Sequence, residues 1–295
     1  MANSNFSQAL LLDEKDSDLF FDKGYVVLKG CIPKDECKRY LESVIKPVMR
    51  SKFNVHSDDP STWSLENVSK FVMNEGSIGG VPYGVMLRNE DGSDPIGGSD
   101  GLWTRAMESE KLLAFLNYIH GGRNNWKWLH PDNVGWIHVR FPLDRAQVSE
   151  DDQNELNWHV DGGHFEIHKI DSPEQSVVVL PMMDNVVFNG GNTLVIAESH
   201  KYISKVLQNN AEGINKDDLM RICEDYSKKV PKENIEQAAP CEAGDILVLH
   251  PFVIHSASRN ISSSKLRITF NMGIRWKSEW APSPLTRKVF TSGDS

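Results

Sequence analysis

Apolar residues recur with a period near 3.6 through the first part of the chain and near two in the rest, which predicts helices followed by strands. A helical pattern beginning near Asp13 stops at Gly24, the usual place of a helix C-terminal glycine, and Tyr25-Val26-Val27-Leu28 reads as a compact strand. Pro33 suits the first turn of a helix carrying Cys37, Tyr40, Leu41, Val44, Ile45 and Val48 on one stripe. Pro47 is expected to disturb that helix near its end. The pattern then weakens. A helix is expected over 65–73, and the Gly-, Asp- and Ser-rich stretch 75–101 reads as an active-site edge or lid. A further helix is expected over 105–120, with Met107, Leu112, Leu113, Leu116 and Ile119 inward and Gly121-Gly122 closing it.

From there short extended runs follow one another at 135–141, 158–160, 165–168, 176–180 and 193–196. After a mostly helical insertion at about 199–229, strands return at 245–250, 253–256 and 266–274. Seven or eight short strands separated by turn signals predict a sandwich or barrel of the jelly-roll kind. The fold class is therefore mainly β with flanking helices. No repeat or linker divides the chain, so 1–295 reads as one domain, with N-terminal helices over about 1–130 covering a jelly-roll core over about 135–276.

The composition narrows the function classes. With 295 residues, 39% hydrophobic, 25% charged and a net charge of −9, this is an ordinary, mildly acidic globular chain without the basic stripe that nucleic acid would need. Cys31, Cys37, Cys223 and Cys241 show neither zinc spacing nor a disulfide framework and read as free thiols in a reducing compartment. No run approaches the roughly 18 apolar residues of a membrane span, and the start lacks a secretory pattern, so no membrane partner and a cytoplasmic location are expected. The pattern leaves oligomeric state undetermined.

The candidate chemistry centres on Trp158-His159-Val160-Asp161-Gly162-Gly163-His164-Phe165. In an extended segment, residues two apart project from one face, which sets His159 beside Asp161. Such a pair is common by chance and holds a metal only weakly, but the segment 244–255 offers His250 and His255 as a third ligand. Two histidines and a carboxylate on one face, with open positions opposite, are the signature of non-haem Fe(II) oxygenases. Twelve residues beyond His255 lies Arg267, in a run whose alternation places Arg267, Thr269 and Asn271 on one face and Leu266, Ile268, Phe270 and Met272 on the other. A solvated outer face is the plainer reading of that strand taken alone. If the polar face points into the barrel, the arginine needs an anion, and a carboxylate matches its planar fork, with Thr269 adding a bond.

Taken together these residues resemble the phytanoyl-CoA dioxygenase family of Fe(II)- and 2-oxoglutarate-dependent oxygenases. The similarity runs through 20–28, His159-Val160-Asp161, Gly190-Gly191-Asn192-Thr193-Leu194-Val195-Ile196, Glu198-Ser199-His200-Lys201, and from Gly244-Asp245 through His255 to Arg267. It implies a double-stranded β-helix of cupin-like type. It also implies His159, Asp161 and His255 as iron ligands, with His255 chosen over His250, and Arg267 with Thr269 on the far carboxylate of 2-oxoglutarate. The implied cofactor and co-substrates are Fe(II), 2-oxoglutarate and dioxygen, with ascorbate helpful. The implied reaction is oxidation, by hydroxylation, of a small-molecule substrate with release of succinate and carbon dioxide. His200 falls in the family's Ser-His-Lys turn and reads as structural, His250 as a buried neighbour, and His164 and His168 have no assigned role. Leu180-Pro181-Met182-Met183 departs from the tryptophan-bearing strand of the family's best-known members, which argues against phytanoyl-CoA itself. The presence of Asp161 argues against halogenation.

Three other readings share these residues: a protein or peptide side-chain hydroxylase of the same chemistry, a zinc hydrolase, and a non-catalytic jelly roll that binds a metal or ligand. The hydrolase reading leaves Arg267 without a role.

Overall fold

Val177-Val178-Val179-Leu180 and Ile246-Leu247-Val248-Leu249 have no polar face, because each strand is covered on both sides. The computed structural model describes residues 14–68, 72–74, 76–88, 96, 108–128, 136–149, 156–162, 165–174 and 176–277. In it two antiparallel sheets face each other. The larger contains β1 (Tyr25–Leu28), β2 (Val72–Asn74), β5 (Gly84–Leu87), β6 (Trp126–Trp128), β7 (Trp136–Arg140), β9 (Val178–Pro181), β13 (Ile246–Leu249) and β15 (Arg267–Trp276). Its order is β1-β13-β9-β15-β7-β5-β2, with β6 paired to the end of β15. The smaller has the order β12-β10-β14, from β10 (Thr193–Ile196), β12 (Ile235–Gln237) and β14 (His255–Ala257).

Alternation along these strands feeds three apolar clusters. Val177, Val179, Ile246, Val248, Ile268 and Phe270 point outward and pack with residues of the N-terminal helices. Val178, Leu180, Leu247, Leu249 and Val195 fill the space between the sheets. On the other side of the smaller sheet, Leu194 and Ile196 pack with residues of α6 (Ser199–Gln208) and α7 (Lys216–Ser227). Between those two helices β11 (Ile214–Asn215) pairs with β8 (Ile167–His168).

The helical layer over the large sheet contains α1 (Glu14–Lys23), α2 (Lys34–Tyr40), α3 (Lys46–Phe53) and α5 (Glu110–Ile119). Cys37, Tyr40, Leu41 and Ile45 are buried as the stripe predicts, while Val44 and Val48 pack against them partly covered. Pro47 does not end the helix, although the α geometry is interrupted just before it. A π-helical turn, Leu41–Ile45, joins α2 to α3 just ahead of it, and Pro47 falls in the first turn of α3, where its missing N–H is tolerated.

The region with the weakest pattern holds the main departures from expectation. The expected 65–73 helix is a single turn, α4 (Leu65–Val68), followed by strand β2. Much of the glycine-rich stretch is sheet: β3 (Ser77–Ile78) and β4 (Val81–Pro82) form a hairpin around Gly79 and Gly80, both at positive φ, and β5 then pairs with β2 and β7. Two- to four-residue strands are too short to carry a readable period. Apart from residue 96, the expected lid beyond residue 88 lies outside the described residues, as does Met107. No helix among the described residues is long and apolar enough to cross a membrane. All four cysteines are free.

Candidate metal centre

Trp158 and Val160 sink into the cluster beneath α6 and α7, so the intervening His159, and Asp161 beyond, turn toward the inside of the barrel. At the start of β14 the same alternation buries Ile254, just before the strand, on the helix side and turns His255 inward. The two histidines exchange both backbone hydrogen bonds, at 3.0 and 2.9 Å, which sets their rings 4.5 Å apart. His159 Nδ1 lies 2.7 Å from the Asn157 carbonyl and His255 Nδ1 lies 3.1 Å from the Val253 carbonyl. A nitrogen facing a carbonyl oxygen carries the proton, so both rings direct Nε2 at the centre in the tautomer a metal requires.

Asp161 completes the group. One donor atom from each of His159, Asp161 and His255 lies within 4.8 Å of the others. His255 Nε2 is 3.3 Å from Asp161 Oδ2, while Asn271 Nδ2 donates to Asp161 Oδ1 at 3.1 Å. Burial alone would raise the Asp161 carboxyl, but the bond and charge of His255, then His159 and Asn271, outweigh it and hold the group well below the usual carboxylate range. For His255, burial acts to lower and Asp161 to raise, and the carboxylate prevails, so the imidazole is raised. Two imidazole nitrogens and an ionised carboxylate converging on one point suit a divalent transition metal with positions left open.

The polar face of β15 points inward. Leu266, Ile268, Phe270 and Met272 all lie in the cluster under the N-terminal helices, leaving Arg267, Thr269 and Asn271 on the barrel side. Arg267 is buried, and its Nη2 donates to Thr193 Oγ1 at 3.3 Å. Thr269 is also buried, but its hydroxyl donates to the Pro181 carbonyl at 2.8 Å, so in this arrangement it offers an anion no proton. Next to Arg267 in register stands Arg140 of β7, whose guanidinium lies across Gly84. A Cβ at Gly84 would sit 2.4 Å from Arg140 Nη1, so the missing side chain there makes room for the arginine.

The other histidines divide clearly. His250 is buried outside the group, accepting from the Phe252 N–H at 3.1 Å, and His200 bonds the Phe21 carbonyl at 2.9 Å. His168 is buried behind Gly162, and His164 lies outside the described residues.

Residues 128–269 match the phytanoyl-CoA dioxygenase (PhyH) family model. Over that stretch the chain is similar to the phytanoyl-CoA dioxygenase family. The matched stretch contains His159, Asp161, His255, Arg267 and Thr269, and stops two residues short of Asn271. Solved structures share its fold at low identity. SnoN, a non-heme alpha ketoglutarate-dependent epimerase from nogalamycin biosynthesis, is 14% identical, with 92% of this chain and 87% of that one covered and a TM-score of 0.52. SnoK, a carbocyclase from the same biosynthesis, is 10% identical, with 90% and 84% covered and a TM-score of 0.52. EctD from S. alaskensis is 11% identical, with 90% and 77% covered and a TM-score of 0.53. No curated protein sequence matches the chain. The fold is thus a cupin-like double-stranded β-helix.

Asn271 is the residue to which sequence reasoning gave no role. Its position on the inward face was readable, and an amide on such a face needs a hydrogen-bond partner. What could not be read was that the partner is Asp161, 110 residues earlier.

Proposed function

We propose that the protein is an Fe(II)- and 2-oxoglutarate-dependent oxygenase that hydroxylates a small organic substrate, with succinate and carbon dioxide as co-products, and that 1–295 acts as one catalytic unit. The observation that carries this reading is the convergence of His159, Asp161 and His255 at one end of an inward strand face whose other end bears buried Arg267. A zinc hydrolase has no use for that arginine. In support, SnoN has been crystallised with Fe3+ and alpha ketoglutarate on the same fold.

In this reading His159, Asp161 and His255 hold the iron, and the bound metal with 2-oxoglutarate and dioxygen supplies the oxidising power. The remaining work belongs to the chain. Backbone carbonyls at Asn157 and Val253 hold both imidazoles by Nδ1, so that Nε2 of each is the nitrogen left to turn toward the metal. Asp161 stays ionised through the whole working pH range, because its carboxyl sits so low. Arg267 supplies a fixed positive charge for the distal carboxylate in a buried setting where water competes poorly. Thr269 assists only by turning its proton away from Pro181.

Anaerobic addition of Fe(II) and 2-oxoglutarate to the purified protein should give the weak visible charge-transfer band of the chelate. Admission of oxygen should then give succinate, slowly without substrate and faster with a matching small molecule. Absence of both band and succinate would overturn the proposal.

A further inference from the structure

Asn271 lies on β15, four residues beyond Arg267 and on the same inward face. Its carboxamide reaches across to the segment bridged to the other sheet and donates to Asp161 Oδ1 at 3.1 Å. The opposite orientation of the amide would set its oxygen against a carboxylate oxygen, so the donor assignment follows from charge. The second carboxylate oxygen, Oδ2, is the one turned to His255 Nε2, at 3.3 Å. The two oxygens of Asp161 are therefore divided between two tasks, one facing the amide and one facing the metal-binding point.

We propose that Asn271 is a positioning residue that restricts Asp161 to one coordinating oxygen and so keeps open the position that 2-oxoglutarate requires. This rests on the functional reading above. A carboxylate with both oxygens available can chelate a divalent ion through both. Two histidines and a chelating carboxylate would fill four positions and leave two, whereas the co-substrate alone takes two and dioxygen needs another. With Oδ1 occupied by the Asn271 N–H, the carboxylate fills one position and three remain. A shorter residue such as serine would not span the gap, and an aspartate would present a repelling oxygen. β15 thus serves the co-substrate at both ends, with Arg267 for its far carboxylate and Asn271 for vacancy at the metal.

The test uses the full chain with Co(II), whose visible d–d bands report coordination number, and Asn271→Leu, which keeps the size and removes the donor. Before any co-substrate is added, the variant's cobalt spectrum should differ from that of the wild type in the direction of higher coordination. Its affinity for 2-oxoglutarate should fall about 10- to 100-fold, the range for residues that orient a metal ligand. An unchanged spectrum together with unchanged 2-oxoglutarate affinity would overturn the proposal. Should leucine prevent folding, Asn271→Asp keeps the shape and should produce the same spectral change, with the same reading of its absence. Asp161→Ala separates this inference from the one beneath it. If that variant loses cobalt while Asn271→Leu matches the wild type, only the role of Asn271 falls. If Asp161→Ala still binds cobalt normally, the metal lies elsewhere and both fall.

Discussion

Two pairs of histidines in this molecule have almost the same geometry and opposite chemistry. The rings of His159 and His255 are 4.5 Å apart at 52°, and those of His200 and His250 are 4.8 Å apart at 49°. Both pairs join segments distant in sequence. The first has Asp161 beside it, and the carboxylate raises His255. The second has, among the described residues, no carboxylate in hydrogen-bond contact, and it packs on Phe20 and Gly24. Burial there lowers His200 to about 4 and His250 well below its ordinary value. Ring proximity alone makes no binding site. In the proposed function the adjacent anion makes the first a metal-binding pair, while apolar burial makes the second a neutral structural one.

The sharpest way to break this contrast is to remove the anion. Asp161→Ala should turn the first pair into something like the second, with metal affinity lower by at least about a hundredfold, measured by calorimetry, and little change in fold by circular dichroism. Arg267→Gln should come next. Loss of one partner from a buried charged contact costs about 2–5 kcal/mol, so 2-oxoglutarate affinity should fall roughly thirtyfold or more while cobalt binding in its absence stays as it was. Unchanged co-substrate affinity would remove Arg267 from the site.

The neutral pair predicts a pH effect of intermediate size. His200 at about 4 is uncharged in the folded state across a range where the unfolded chain, with an ordinary value near 6.5, takes up a proton. Its contribution is therefore fully present above about pH 6.5 and is lost as the pH falls toward 4, by up to about 3 kcal/mol. His120, likewise buried at about 4 between the Leu116 carbonyl and Ser176, acts in the same direction. His200→Gln keeps a donor for the Phe21 carbonyl and removes the titration, so its stability should depend less steeply on pH in denaturant unfolding, with metal binding unaffected. The smallest effect should come from Thr269→Val. With the hydroxyl committed to Pro181, the loss is about 1 kcal/mol of stability, and 2-oxoglutarate affinity should move by less than about threefold. A tenfold change would show that the hydroxyl does turn to the co-substrate.

What the sequence made legible follows from where each signal is local. The inward and outward faces of 266–274 were readable from alternation alone, and the structure keeps them. His159 and Asp161 share a face because two residues of extended chain place them there. The sheet pairing of β2 and β5 was not legible, since strands of three and four residues between glycines resemble a loop. Nor is the segment 158–160 a full strand: among the described residues it joins the smaller sheet through the single His159–His255 bridge. Thr269 illustrates a further limit. Its face was predictable, but the Pro181 carbonyl that takes its proton lies 88 residues away.

The pairing of β1 with β13 carries a consequence for how the chain is made. Tyr25 stands opposite Leu249, so this strand is synthesised 224 residues ahead of its partner. At about 5–20 residues per second, a ribosome takes roughly 10–45 s to deliver that partner. For that interval the Tyr-Val-Val-Leu edge is without the strand that pairs with it among the described residues. Any chaperone that attends this protein during translation would find there an apolar strand waiting for its mate.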